Sequence, residues 1–208
     1  MVANQRLRAS DGYEVLLFPL AYMYISQDEG ESYSHAGTLN IDFLGWNSNG
    51  RVYNCPYYAP CSCTLVYQSQ AGAYNIWNSN DLVHTPSGLM KVCFMVIHDS
   101  NLPYSVGTRL NQGDLLGHTG TGGQATGDHL HLNVASGLYA GQEQVPPDYQ
   151  WQLINSKHIY NMMYVNDTTI VYGANHPWTT YSGGISTDIK SKFPWVLYSR
   201  KLKNKRRM

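Results

Sequence analysis

The sequence predicts a mainly β protein, a sandwich or barrel of short strands, and three observations carry that prediction. Short apolar runs recur between clusters of Gly, Asn, Ser and Pro, the punctuation expected of strands and turns. Helix-like spacing of apolar residues at three and four positions is weak along the whole chain. Only 13% of the 208 residues are charged, against 43% hydrophobic and 12% aromatic, which excludes a disordered chain and leaves enough apolar material for one sizeable core.

Taken in order, the strand candidates are Tyr13–Phe18, Leu39–Leu44, Cys63–Gln68, Lys91–Ile97, Leu115–His118 and His129–Val134. The run Val92-Cys93-Phe94-Met95-Val96-Ile97 is continuous enough to be buried on both faces, and it would carry His98 to the edge of a cleft. The best helix candidate is Asp148–Met163, where Asp148 follows Pro146-Pro147 in capping position and Leu153, Ile154 and Ile159 supply an apolar side. Residues 138–148 are the best linker. There is no repeat of 20–50 residues, although Pro177-Trp178-Thr179-Thr180-Tyr181 is echoed by Pro194-Trp195-Val196-Leu197-Tyr198, read as two aromatic anchors for the C-terminal segment.

Formal charge is zero by cancellation. Arg200, Lys201, Lys203, Lys205, Arg206 and Arg207 supply 6 of 14 basic residues, so residues 1–199 hold 8 basic against 14 acidic side chains. Such an acidic body lacks the broad basic face that phosphate contacts need, and a nucleic-acid partner is not expected. No apolar run reaches the roughly 18 residues of a membrane-spanning helix, so no membrane insertion is expected. Arg6 and Arg8 precede an apolar stretch, but Asp11 and Glu14 intervene without a small-x-small cleavage site, and no signal peptide is evident. Cys55, Cys61, Cys63 and Cys93 lack the C-x2-C spacing of a zinc knuckle and read as buried free thiols.

The eight histidines are the richest chemical signal. In His129-Leu130-His131-Leu132-Asn133-Val134 the alternation would put His129, His131 and Asn133 on one face of a strand and the three aliphatic residues on the other. The preceding stretch, Gly117 to Asp128, is rich in glycine and permits a tight loop that approaches other backbone closely. Its Gly120-x-Gly122-x-x-Ala125 imitates a dinucleotide fingerprint but leads into an alternating strand rather than a helix, so nucleotide binding is rejected. Gly123 before His129-x-His131 imitates a cupin metal motif, yet no Glu follows at the required offset. A catalytic zinc site needs three protein ligands, an open position and a nearby uncoordinated acid or base, and His35, Asp42 and His98 are available to complete that set.

Four ordered elements resemble the lysostaphin-like zinc endopeptidases that cut peptides of bacterial peptidoglycan. They are Ser34-His35-x-Gly37 with Ile41-Asp42-Phe43; Tyr58-Ala59-Pro60 with Leu65-Val66; Val96-Ile97-His98-Asp99; and Gln112-Gly113-Asp114-Leu115-Leu116-Gly117 running on to Thr126-Gly127-Asp128-His129-Leu130-His131. The resemblance spans roughly residues 10–136. It implies an antiparallel β-sheet groove, the lysostaphin-type barrel-sandwich of duplicated hybrid motifs, with one Zn2+ per chain at its floor. It implies His35, Asp42 and His131 as metal ligands, with His98 and His129 as catalytic residues flanking the reacting water and the scissile carbonyl. Six residues separate His35 from Asp42, where the family usually has three, and family Gly is replaced at Ser62 or Cys63. Asn133 could orient a neighbouring histidine, and His84, His118, His158 and His176 match no motif position.

The expected organisation is a zinc endopeptidase core over residues 1–137 and a C-terminal extension over 138–208 that packs on the core as a wall or lid and ends in the basic tail. The expected substrate is a peptidoglycan peptide. A wall hydrolase without an evident signal suggests a bacteriophage protein made in the host cytoplasm. It would be delivered at the virion tail tip, with other tail proteins as partners, or released to the cell wall during lysis. The alternative is a catalytically inactive peptidoglycan-binding or structural tail protein of the same fold.

Overall fold

The computed structural model describes residues 1–183. Its centre is a nine-stranded sheet built from β1 (Tyr22–Gln27), β2 (Ile41–Phe43), β3 (Cys63–Ser69), β4 (Tyr74–Ser79), β5 (Val92–Ile97), β6 (Arg109–Leu110), β7 (Leu130–Ser136), β10 (Ser156–Lys157) and β11 (Thr169–Tyr172). The order across the sheet is β6-β3-β4-β5-β7-β2-β1-β11, with β10 also paired to β7. Every pairing is antiparallel except β11 on β1. Smaller sheets lie around it, among them Pro56–Tyr58 with Leu115–His118, and a hairpin of β8 (Gln142–Val145) and β9 (Gln150–Leu153). The mainly β fold expected from the turn spacing is what the chain forms.

Alternation in β7 shows why the sheet sits where it does. Leu130, Leu132 and Val134 point into the main core with Phe18, Phe43, Trp77, Phe94 and Val96, all buried. Residues on the opposite face of β5 and β7, Met95, Cys93 and Ala135, would lie open on a bare sheet. They form a second apolar cluster with Ile76 and Leu153 instead, because the β8–β9 hairpin folds over them. The segment after residue 137 thus shares both cores: Leu153 belongs to the second, and Ile159, Met162, Met163 and Val165 to the first.

The helix expected over Asp148–Met163 is not there. Tyr149 and Asn155 take left-handed backbone, φ 53° and 64°, which a helix interior does not accommodate, and only Ile159–Met162 is helical. Residues 142–145 form a strand inside the expected linker. All four cysteines are free, with Cys61, Cys63 and Cys93 buried, as expected of structural thiols. Among the described residues no helix is long and apolar enough to cross a membrane. The echo at 194–198 and the basic tail lie outside the described residues, whereas Trp178 packs against the main core.

Gln112 ties the N-terminal segment to the barrel. Wholly buried, it accepts a hydrogen bond from Leu7 N–H (2.7 Å) and donates to the carbonyls of Val15 (2.7 Å) and Pro60 (2.9 Å). Gln112→Ala leaves Leu7 N–H and Val15 O without these partners, while Pro60 O keeps Leu17 N–H (3.1 Å), and is expected to cost about 2–4 kcal/mol, read as a lower urea midpoint at unchanged slope.

Candidate metal centre

The register of the sheet builds the site. β2 and β7 pair so that Asp42 lies directly opposite His131, and β5 brings Ile97, next to His98, beside His131 on the other flank. His35 comes from a 3-10 turn before β2, and the six-residue spacing still delivers it: its Nε2 is 3.2 Å from Asp42 Oδ1 and 3.3 Å from His131 Nδ1. His131 Nδ1 lies 2.8 Å from the same carboxylate oxygen. His35 is wholly buried, and Asp42 and His131 are nearly so.

Three acceptor atoms therefore converge. His35 donates its Nδ1–H to the Asp28 carbonyl (2.9 Å), which leaves a bare lone pair on Nε2, and Asp42 Oδ1 is buried with no hydrogen-bond donor. Lone pairs of two imidazoles and a carboxylate repel one another across about 3 Å unless a cation or a shared proton stands between them. Ligands about 2.0–2.1 Å from a tetrahedral metal sit about 3.3 Å apart, which two of the three separations, 3.2 and 3.3 Å, match, while His131 Nδ1 and Asp42 Oδ1 stand closer at 2.8 Å. The residues fit a divalent ion. His98, His129 and His131 form a second close group, sharing one member with the first.

His98 and His129 stand beside this triad with ring centroids 4.4 Å apart. His98 follows β5 in left-handed backbone, φ 80°, a conformation that costs a non-glycine residue about 1–3 kcal/mol and must be held by its surroundings. Its N–H reaches Ala73 O (2.8 Å), its carbonyl accepts from Gly122 N–H (3.0 Å), and its Nδ1–H donates to Gly122 O (2.7 Å). This clamp needs Gly120, since a Cβ there would stand 2.3 Å from His98 O. His129 pairs with Gly120 through two backbone bonds and donates Nδ1–H to Gly127 O (2.7 Å), while its Nε2 faces Asp42 Oδ2 at 3.2 Å. The glycine loop thus sets the tautomer of both histidines with its own carbonyls.

The electrostatics follow from burial and one shared carboxylate. Burial pushes the His98 imidazole down to about 4, so it is neutral at pH 7. Burial also opposes charge on His129, but hydrogen bonding and attraction to Asp42 outweigh it and raise its pKa. His131 goes the other way, lowered by complete burial despite Asp42. Burial works against the Asp42 anion, yet His131, His129 and His35 around it hold its pKa well below the usual carboxylate range.

All five sequence-predicted residues, His35, Asp42, His98, His129 and His131, come together. Asn133 does not join them, because its Oδ1 accepts from Leu153 N–H (2.9 Å) and Ser156 Oγ–H (2.7 Å) and so fastens the hairpin. The site opens into a cleft of about 1420 Å³ lined by Ser34, Tyr74, Gln142, Asp148 and Trp151 among others. Sequence reasoning missed Asn40, buried at the cleft and donating to Trp151 O (3.0 Å), and Trp151 itself, 53% exposed. The signal available for Trp151 was its place between two glutamines in a run that alternates as a strand.

The mainly β chain has a lysostaphin-like fold. The chain is similar to a curated protein, Morphogenesis protein 1 of Bacillus phage B103: the two are 41% identical over 176 residues, 83% of this chain and 46% of that protein. The chain thus spans about half the length of the relative it matches. No family model matches the sequence. Among solved structures the chain is similar to a zinc-containing peptidase from Vibrio cholerae, with 18% identity, TM-score 0.44 and coverage of 63% of this chain and 43% of that one. It is also similar to lysostaphin from Staphylococcus simulans, with 18% identity, TM-score 0.42 and coverage of 61% and 50%. A third is the catalytic domain of the prophage-encoded M23 protein EnpA from Enterococcus faecalis, with 18% identity, TM-score 0.41 and coverage of 64% and 88%.

Proposed function

We propose that the chain is a zinc-dependent endopeptidase that hydrolyses peptide bonds in the stem peptides or cross-bridges of bacterial peptidoglycan. We place it at the tail tip of a phage particle, among other tail proteins, where it opens the host wall for DNA entry. The observation that carries the reading is the convergence of His35 Nε2, Asp42 Oδ1 and His131 Nδ1 at the floor of an open cleft, with two further imidazoles beside them. The phage setting is supported by the similarity to Morphogenesis protein 1 of Bacillus phage B103.

In this reading His35, Asp42 and His131 hold one zinc ion, which when bound supplies Lewis acidity toward the scissile carbonyl and lowers the pKa of water. His98, kept neutral by burial with Nδ1–H committed to Gly122, has Nε2 free to take a proton from the attacking water. His129, whose Nε2 can hold a proton against Asp42 Oδ2, stabilises charge developing on the carbonyl oxygen and gives that proton to the leaving amine. Residues 1–137 carry this machinery, and of the extension over 138–208 the described part, residues 138–183, packs on it. The β8–β9 hairpin supplies one wall of the cleft, and Trp151 offers a flat apolar face to the substrate.

Release of new free amino groups from purified peptidoglycan, with a chelator and then with zinc restored, tests the activity. Zinc-dependent release is expected. Bound zinc with no release from several wall types would favour the non-catalytic tail protein. Trp151→Ala is expected to raise the substrate concentration at half-maximal rate roughly 3–10-fold and to leave the maximal rate within about twofold, measured on soluble wall fragments.

A further inference from the structure

Two histidines that match no motif, His158 and His176, stand in a layered cluster against the segment that precedes His35. His176 Nε2 lies 2.8 Å from Asp28 Oδ1, and the same oxygen accepts from Glu29 N–H (2.8 Å). His158 Nδ1 (2.7 Å) and Tyr160 O–H (3.2 Å) both meet Glu29 Oε1. The three rings form one stack: Tyr160 lies over His176 at 4.4 Å and 16°, and His158 over Tyr160 at 5.1 Å and 24°. Trp178 closes the stack edge-on at 6.0 Å from Tyr160 and also meets Phe18 edge-on at 6.0 Å, which joins the cluster to the main core. The clamped residue, Asp28, is the one whose carbonyl receives His35 Nδ1–H at 2.9 Å.

We propose that His158, Tyr160 and His176 are positioning residues for the metal ligand His35, acting through Asp28 and Glu29. The inference rests on the reading of His35 as a ligand. It explains how a six-residue interval between the two ligands can still present His35 rigidly. A longer interval has more freedom to lose, and the part of the chain after residue 137 braces His35 on both sides in sequence, before it at Asp28 and Glu29 and after it at Gly37. On one side stands the ring stack. On the other the β8–β9 hairpin approaches Gly37 so closely that a Cβ there would stand 2.2 Å from Pro146 O, and Gly37 also has φ 74°. Within the segment, Thr38 N–H and Oγ–H close onto the His35 carbonyl (3.0 and 3.2 Å), and Gly30 N–H onto Thr38 O (3.0 Å). The acceptor of a ligating histidine's second N–H fixes the ring's orientation, and loss of such a partner typically weakens metal binding 10–100-fold.

The test compares zinc affinity, by competition with a chromogenic chelator, with the unfolding temperature of the zinc-free protein. The proteins are wild type, His176→Ala, His158→Ala, Tyr160→Phe, His176→Gln and a control, Leu7→Ala, in an apolar cluster formed by the N-terminal segment. His176→Ala and His158→Ala are expected to bind zinc at least 10-fold more weakly. His176→Gln, which can still donate to Asp28, and Tyr160→Phe, which keeps the ring stack, are expected within about threefold of wild type. Leu7→Ala is expected to unfold earlier with unchanged affinity. Wild type that binds no zinc would overturn the ligand assignment itself. Wild-type binding with equal affinity in His176→Ala and His158→Ala, or a loss of affinity that Leu7→Ala shares, would overturn the positioning role alone. Should His176→Ala fail to fold, His176→Gln and Asp28→Asn, both expected to preserve affinity, carry the comparison against His158→Ala.

Discussion

Zinc content is expected to fall from one ion per chain to near zero in His131→Ala, while His98→Ala and His129→Ala keep one ion and lose roughly 10²–10⁴-fold in rate. His131 Nδ1 is the atom nearest Asp42 Oδ1, at 2.8 Å, and also faces His35 Nε2, so its removal leaves two donors and a hole at the floor of the cleft. His98 and His129 each spend Nδ1 on a glycine carbonyl, and the second nitrogen of His129 faces Asp42 Oδ2 at 3.2 Å rather than Oδ1, the oxygen that His35 and His131 share. Their removal should disturb proton transfer more than coordination. Metal analysis of the three purified variants, beside amine release from peptidoglycan, checks both halves. Equal metal loss in all three would sink the division of roles and point to the other close group, His98, His129 and His131.

What was legible in the sequence depended on how local the determinant is. Alternation in His129–Val134 announced a strand with histidines and aliphatic residues on opposite faces, because side chains on a strand repeat every two residues regardless of what packs on them. His131 and the aliphatic residues follow that rule, while His129 sits just before β7, in a bridge with Gly120. The stretch 148–163 failed for the opposite reason. Its apolar residues bury against surfaces made elsewhere, Leu153 on Met95 and Ala135 and Ile159 in the main core, and two left-handed residues break the helix between them. Partnerships such as His176 with Asp28, separated by 148 positions, leave no periodic trace at all. The motif order brought five site residues into view because register, a consequence of strand pairing, converts sequence order into adjacency across the sheet.

Asp42→Asn is expected to abolish the stabilisation that zinc confers while leaving the zinc-free fold nearly unchanged. In wild type, zinc at about a thousand times its dissociation constant should add about 4 kcal/mol, which for a chain of this size raises the melting temperature on the order of 10 °C. The substitution keeps the shape of the side chain but removes the one negative charge among four imidazoles, and with it the anionic oxygen that faces both His35 and His131. Asparagine can still hydrogen-bond His129 in place of Oδ2, so the zinc-free protein should unfold within a few degrees of wild type. The zinc-dependent shift in melting temperature, read with and without chelator, therefore isolates the carboxylate's part in coordination from its part in packing. If zinc were held by His98, His129 and His131 instead, Asp42→Asn would retain most of the shift and His98→Ala would lose it. The proposed carboxylate ligand rests on the placement of buried Asp42 Oδ1, 3.2 Å from His35 Nε2 and 2.8 Å from His131 Nδ1.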